Sequence, residues 1–114
     1  MAQIKQGRWV TASGQGVSSA LRLGTETLLG FYTPAALTAA ELKIQASHDG
    51  ATFVDVVSND AVLKVQATSS AYIALEPTKL LGAVQVRLAH LDGAGAATTE
   101  SAERVFEPVF RAFE

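Results

Sequence analysis

The sequence predicts an all-β fold, a β-sandwich or jelly roll of about seven to nine short antiparallel strands with one or two single helical turns. Three observations lead to this prediction. Apolar and polar residues alternate in short runs, and turn-forming residues separate these runs about every eight to twelve residues. The chain has 114 residues, a common length for a single domain that can bury one hydrophobic core without disulfide bonds.

The clearest part of the pattern is a hairpin in the middle of the chain. Apolar and polar residues alternate over 42–47, as in a strand with one buried face. The segment 52–57 follows as the second strand. Between the two strands, residues 47–51 contain Asp49-Gly50, a pair that accepts positive φ angles at low energetic cost.

More strands follow this hairpin toward the C-terminus. Residues 58–60 form the next turn, and further strands are predicted over 62–66 and 71–75. The most regular alternation lies over 84–88, which therefore predicts another half-buried strand. The Gly- and Ala-rich segment 92–99 is predicted to be a loop inside the domain.

The segments before the hairpin and before residue 84 are less regular. Strands are predicted over 17–23 and 27–32. A single helical turn is predicted over 34–41, where Thr38 begins a Thr-x-x-Glu capping box. A second helical turn is predicted over 76–82, which has a proline near its start and a glycine at its end.

The C-terminal segment 104–113 admits two interpretations. Phe106, Phe110 and Phe113 have helical spacing, but Pro108 lies between them and would break a helix. An edge strand tolerates proline better, so we predict a strand. Three phenylalanines that lie within apolar strand patterns are predicted core residues: Phe53, Phe106 and Phe110.

The N-terminal segment differs in composition from the rest of the chain. We predict an arm over residues 1–16, flexible or bound to a partner, followed by the β-sandwich domain over residues 17–114. Trp9 lies in a polar, Gly-bounded stretch of this arm, between Arg8 and Val10. Because Trp and Arg are enriched at interface hot spots, these three residues are the predicted partner-binding site. The alternative is that Trp9 packs over one end of the sandwich.

The composition argues against several classes of partner. The net charge is −2, with 9 basic and 11 acidic residues spread along the chain, so we expect no nucleic-acid binding. No apolar run approaches the roughly 20 residues of a membrane span, and residues 1–6 lack the apolar core of a signal peptide. We therefore expect synthesis in the cytoplasm, which the absence of cysteine also fits.

The sequence predicts no catalytic, cofactor-binding or metal-binding residues, and hence no enzyme. His48 lies in a turn and His90 at a strand end, and neither belongs to a nucleophile motif. We interpret them as an exposed turn histidine and a half-buried strand histidine. Four carboxylates could offer oxygens to a calcium ion, but their spacing favours turn formers and solvent-facing strand residues: Asp49, Asp55, Asp60 and Asp92.

Two segments resemble a known sandwich architecture. Residues 42–57 resemble the central hairpin of discoidin-like (galactose-binding-like) domains, in which an apolar strand ends in Ser-x-Asp-Gly and an aromatic residue follows. Residues 84–88, Val-Gln-Val-Arg-Leu, are similar to the Arg-containing strand of that fold. This resemblance implies a β-sandwich and no particular ligand.

A longer part of the chain, residues 30–111, resembles a type of small tailed-phage protein from the head-gene region. The type has a proline segment, a Thr-Ala-Ala-x-Leu strand start, the Ser-x-Asp-Gly hairpin, an Ile-x-Leu-x-Pro turn and two Arg-containing strands. The matching segments begin at Pro34 and continue over the following ranges: 38–42, 47–53, 73–77, 84–88 and 104–111.

This second resemblance implies a virion structural protein. It would be a capsid decoration (cement) protein, a head fibre, or a neck or tail accessory protein. As a decoration protein it would bind the major capsid protein on the outer capsid surface, and it would also associate with itself on the capsid lattice. The alternative from the first resemblance is a carbohydrate-binding module, the common role of discoidin-like domains.

Overall fold

The computed structural model describes residues 8–23, 26–80 and 83–112. These residues form eleven short strands and one 3-10 helical turn at Pro77–Leu80. The strands, in chain order, are β1 (Trp9–Thr11), β2 (Leu21–Arg22), β3 (Glu26–Tyr32), β4 (Glu41–Ser47), β5 (Val54–Asp55), β6 (Val57–Ser58), β7 (Ala61–Val62), β8 (Lys64–Gln66), β9 (Tyr72–Ala74), β10 (Gln85–Leu91) and β11 (Arg104–Ala112).

The strands form a β-sandwich of two antiparallel sheets, which confirms the predicted fold class. The first sheet has the order β1-β11-β3-β9, and the second has the order β2-β10-β4-β5, with β8 also paired to β4. Strands β6 and β7 pair only with each other. Consecutive strands in the chain therefore alternate repeatedly between the sheets, as in other sandwiches.

The core lies between the sheets and is formed by the inward-facing residues of the longer strands. The first sheet contributes its large aromatic side chains and the second sheet contributes aliphatic ones, as alternation along each strand requires. The core residues that are at most 1% exposed are Trp9, Leu28, Phe31, Phe106 and Phe110 from the first sheet, and Leu42, Ile44, Val86 and Leu88 from the second.

The predicted central hairpin is confirmed. Strand β4 pairs with β5 so that Ala46 lies opposite Val54. The turn is held by its own polar side chains, because Ser47 Oγ accepts from the Gly50 amide at 2.8 Å and Asp49 Oδ1 accepts from the Thr52 amide at 2.9 Å. The φ angle of Gly50 is 81°, which is the conformation that the Asp-Gly pair predicts.

Phe53 is not a core residue, contrary to the prediction. Because Val54 lies opposite the inward-facing Ala46, the neighbouring Phe53 lies on the other, outer face of the second sheet. Its ring is half-buried there, 4.3 Å below the guanidinium carbon of Arg87. A shift of one residue in strand register moves a side chain to the opposite face.

The predicted strands over 52–57 and 62–66 are each divided in two, which is why the strand number exceeds nine. Val56 and Leu63 form backbone hydrogen bonds with Ile44 and with each other. Beyond them, β6 and β7 leave the sheet as a separate hairpin. Its two central residues, Asn59 and Asp60, have φ angles of 54° and 63°, as in a type I′ turn.

Three other predicted segments have mixed outcomes. The 3-10 turn at Pro77–Leu80 confirms the helical turn predicted over 76–82. The helical turn over 34–41 is wrong, because Thr38 contacts the Ser101 hydroxyl at 3.2 Å instead of capping a helix. The strand predicted over 17–23 is reduced to β2.

The C-terminal strand is confirmed as β11. Pro108 lies opposite Phe31 of β3 and outside the stretch of β11 that pairs with β1, which covers residues 104–106. The proline therefore lies where β11 has no described neighbour on its second side, a position that tolerates the missing N–H.

Trp9 belongs to the core, so its predicted exposure is wrong. It lies opposite Phe106 in the pairing of β1 with β11 and is 0% exposed. Its indole N–H donates to the Val86 carbonyl of the second sheet at 3.1 Å. Residues 9–16 are therefore part of the sandwich, whereas residues 1–7 of the predicted arm lie outside the described residues.

Candidate functional site

Two tyrosines form the most prominent exposed feature of the first sheet. Tyr32 of β3 lies directly opposite Tyr72 of β9, and their ring centroids are 4.8 Å apart with an angle of 49° between the rings. They are 52% and 43% exposed. Because Phe31 faces the core, strand alternation places both tyrosines on the outer face of the sheet.

A glycine allows the second ring to lie flat on the sheet. Gly30 is on the outer face, two residues before Tyr32 and diagonally across from Tyr72. A Cβ atom at Gly30 would be 2.5 Å from the Tyr72 hydroxyl and 2.5 Å from the Ile73 carbonyl oxygen. The Tyr72 ring therefore occupies the space that any side chain at Gly30 would need.

The tyrosine pair belongs to a larger surface. Val10 of β1 and two valines of β11 lie on the same side of the sheet and are half-buried. Glu107 lies directly opposite Tyr32 and forms an exposed ion pair of 3.6 Å with Arg8. We name this surface the aromatic face, and it consists of Arg8, Val10, Tyr32, Tyr72, Val105, Glu107 and Val109.

The predicted partner-binding residues divide between the two sides of β1. Arg8 and Val10 lie on the aromatic face, and Trp9 points into the core. The predicted role of Arg8 and Val10 stays a prediction, and its context is now a sheet surface with a tyrosine pair. The sequence signal for this surface was weak, because Tyr32 and Tyr72 become neighbours only through the register of β3 and β9.

A second site is a row of polar side chains inside the sandwich. His90 Nε2 is 2.8 Å from Thr11 Oγ1, and His90 Nδ1 is 2.9 Å from Glu100 Oε2. Since the carboxylate can only accept, Nδ1 carries the proton and neutral His90 accepts from the Thr11 hydroxyl. The prediction of a half-buried His90 is wrong, because this residue is 1% exposed.

Glu100 receives hydrogen bonds from several elements. The backbone amides of Thr38 and Ala39 donate to its two oxygens at 2.8 and 2.9 Å, and Arg104 Nε donates at 2.8 Å. Burial alone would raise the pKa of Glu100, but these hydrogen bonds hold it at about 2. We name this set the buried polar row, and it consists of Thr11, His90, Glu100 and Arg104.

A hydroxyl, an imidazole and a carboxylate in this order resemble the arrangement that activates a nucleophile. Here the hydroxyl group of Thr11 is 0% exposed, and His90 and Glu100 are 1% exposed, so no substrate reaches it in this conformation. Burial lowers the pKa of His90, and the charge and hydrogen bond of Glu100 oppose that shift only in part. The hydrogen bonds of the row connect β1, β10, β11 and the loop 33–40. We therefore interpret the row as a structural element.

Other residues that were considered for catalysis or metal binding lie in turns, as the sequence predicted. His48 is exposed in the hairpin turn. Asp49 and Asp92 accept hydrogen bonds from nearby backbone amides, and Asp60 lies in the type I′ turn. Among the described residues, no group of three His, Cys, Asp or Glu could hold a metal ion. No helix in that part of the chain is long and apolar enough to cross a membrane.

Comparison with known proteins gives no relative for this domain. No family model, curated protein or solved structure matches the chain.

Proposed function

We propose that this domain is a virion structural protein that binds the outer surface of a phage capsid and reinforces the contacts between capsid subunits. The observation that supports protein binding is the Tyr32–Tyr72 pair on the aromatic face. The choice of a capsid as the partner rests on the resemblance of residues 30–111 to small phage proteins of the head-gene region.

The aromatic face has the composition of a binding surface. Tyrosine supplies a large contact area at low entropic cost, and both tyrosines are already restrained by each other and by the close approach of Tyr72 to Gly30. Glu107 lies directly opposite Tyr32 and pairs with Arg8, and the half-buried valines lie on the neighbouring strands β1 and β11. Tyrosine and arginine are among the residues that are enriched at protein interfaces.

Reinforcement of a shell follows from binding to its assembled form. A protein that binds the assembled shell more tightly than the free subunits stabilises the shell by mass action. The proposed partner is the major capsid protein, and copies of the domain would also contact each other on the capsid lattice. A rigid sandwich suits this role, because little order has to be gained when it binds.

The test is binding of the purified domain to intact phage particles, measured as bound copies per particle after sedimentation. Tyr32→Ser combined with Tyr72→Ser should weaken binding roughly 30-fold or more, which corresponds to loss of one hot spot. The double variant should unfold at nearly the wild-type temperature, since both rings are about half exposed.

The matched control is Val57→Ser on β6, because Val57 is also exposed, at 61%, and lies outside the aromatic face. It should bind particles like the wild type. Wild-type domain that is absent from purified particles would contradict the proposal. A double variant that binds normally would instead remove the aromatic face from it.

The second candidate is a carbohydrate-binding module. Exposed tyrosine rings can stack on sugar rings, and Tyr32 and Tyr72 are such rings. Their planes differ by 49°, so a sugar chain would stack on one ring at a time. Glycan-array binding that is lost in the tyrosine double variant, without binding to particles, would favour this candidate.

A neck or tail accessory protein would use the same protein-binding chemistry with another partner. The location of the domain on the particle separates this case from capsid decoration. Labelled domain at the neck or tail in electron micrographs would favour it, whereas label over the whole head would favour decoration.

A further inference from the structure

The outer face of the second sheet has different chemistry from the aromatic face. Outward-facing positions of β4, β5, β8 and β10 carry mainly charged and amide side chains, and Phe53 lies beside them. We name this surface the charged face, and it consists of Glu41, Lys43, Gln45, Phe53, Asp55, Lys64 and Arg87.

A row of hydrogen bonds crosses three strands of this face. Arg87 Nε donates to Gln45 Oε1 at 2.8 Å, and Gln45 Nε2 donates to Asp55 Oδ1 at 3.0 Å. Lys43 Nζ lies 3.1 Å from the same Asp55 oxygen. Each member therefore fixes the orientation of the next, and the guanidinium plane of Arg87 is held at the end of the row.

Arg87 has hydrogen-bond donors that this row does not use. Its Nε is engaged by Gln45, but no described residue accepts a hydrogen bond from its two terminal nitrogens. The guanidinium lies over the Phe53 ring at 4.3 Å, which shields one side of it from water. The side chain is half-buried, so an approaching group can still reach it.

The two lysines of this face are paired with carboxylates. Lys43 pairs with Asp55 at 3.1 Å and Lys64 pairs with Glu41 at 3.9 Å. Hydrogen bonds from Gln45 and Lys43 lower the pKa of Asp55, so its carboxylate stays ionised at neutral pH. Arg87 is the cation of this set without an anionic partner, and a further exposed arginine, Arg22 of β2, lies opposite Gln85 on the same side of the sheet.

We propose that the two terminal nitrogens of Arg87 bind the carboxylate of an Asp or Glu side chain on a capsid subunit. The identity of this partner rests on the proposed function. A planar, preoriented guanidinium matches a carboxylate with two parallel hydrogen bonds. Both lysines of the face are already paired with carboxylates, so the set lacks the cluster of unpaired cations that a nucleic-acid backbone requires.

The position of Arg87 adds a second contact to the proposed function. The charged face and the aromatic face lie on opposite sides of the sandwich, because they belong to different sheets with the core between them. A domain that reinforces contacts between subunits has to bind two of them. The aromatic face would bind one subunit, and Arg87 would bind a carboxylate of its neighbour.

The first experiment needs no capsid. Sodium acetate is titrated into the labelled full chain at constant ionic strength, and the side-chain N–H signals of arginines are followed by NMR. The Arg87 signals should shift saturably, whereas those of Arg104, which is bound to Glu100, should not. No saturable shift at Arg87, or tighter binding of inorganic phosphate than of acetate, would overturn the carboxylate site.

The second experiment measures binding to intact particles. Arg87→Lys keeps the positive charge but loses the planar fork, and it should weaken binding roughly tenfold. Lys79→Gln removes an exposed cation that lies outside both named faces, and it should change binding less than about threefold. Unchanged binding of Arg87→Lys would overturn the proposal. If the wild type does not bind particles at all, the proposed function fails, and the acetate titration alone decides the Arg87 site.

Discussion

The outer face of the first sheet is organised around two aromatic rings, whereas the outer face of the second is organised around a row of charged and amide side chains. Both sheets follow the same alternation and direct apolar residues toward the core, mainly aromatic ones from the first sheet and aliphatic ones from the second. Folding therefore requires only the inner positions to be apolar. The outer positions are free to differ, and in this domain they carry the two different binding sites that we propose.

The two faces also differ in how their side chains are held. The tyrosines are restrained by ring contact and by the space that Gly30 leaves open. Arg87 is restrained by hydrogen bonds to its neighbours. The first type of restraint depends on backbone shape and the second on polar side chains, so substitutions should disturb the faces independently.

The largest effect is expected from a substitution in the buried polar row, which connects the two sheets. Glu100→Gln should lower the free energy of unfolding by about 3–5 kcal/mol, the usual loss when one partner of a buried ion pair is removed. The amide cannot accept from the Thr38 and Ala39 amides, Arg104 and His90 at once. Chemical denaturation measures the effect.

The matched control is Glu103→Gln, three residues along the chain and exposed. It should change the free energy of unfolding by less than about 0.5 kcal/mol. Equal effects of the two substitutions would show that the buried polar row does not hold the sheets together.

The aromatic face should also be disturbed by a substitution at Gly30, on which the Tyr72 ring lies. Gly30→Ala should destabilise the domain by about 1–3 kcal/mol, because the added carbon meets the Ile73 carbonyl and the Tyr72 ring. Gly93→Ala is the control, since a Cβ atom there meets nothing within 4 Å. The tyrosine signals in NMR spectra should shift in Gly30→Ala, and the Arg87 side-chain signals should not. A shift of both would show that the faces are not independent.

A smaller effect is expected from acidification between pH 7 and pH 5. The pKa of His90 is lowered by burial, so the unfolded chain takes up a proton below its ordinary value of 6.5 while the folded protein resists it. Stability should therefore fall as the pH drops below that value. Glu100, with a pKa of about 2 against 4.5 in the unfolded chain, loses its contribution only at lower pH.

His90→Gln separates these two contributions. The variant has no ring to protonate at this position, so its unfolding free energy should fall less than that of the wild type between pH 7 and pH 5. Both proteins should lose stability below pH 4.5 as Glu100 is protonated. Parallel curves over the whole range would exclude His90 as the group responsible.

Sequence patterns predicted the inner side of this fold better than its outer side. Alternation identified Leu42 and Ile44 as core residues and located the hairpin that follows them, because periodicity reports burial directly. Trp9 was misplaced because its polar, Gly-rich neighbours obscured a strand of only three residues. Phe53 was misplaced because apolar character does not indicate which face a residue occupies.

The buried polar row and the charged face depend on contacts between distant parts of the chain. Thr11 and His90 are 79 positions apart, and Arg87 and Gln45 are 42 apart. No local pattern reports such pairs, since they arise from strand order and register. The Asp-Gly turn was predictable because all its hydrogen bonds are local.

The central claim is that the aromatic face contacts the capsid. The most direct measurement places a photo-crosslinking amino acid at position 72, at position 57 or at position 76, binds each variant to intact particles, and identifies the crosslinked protein by mass spectrometry. Positions 57 and 76 are exposed and lie outside both named faces. We expect position 72 to crosslink to the major capsid protein and positions 57 and 76 to give no crosslink to it. Crosslinks from position 57 or 76 but none from position 72 would contradict the account.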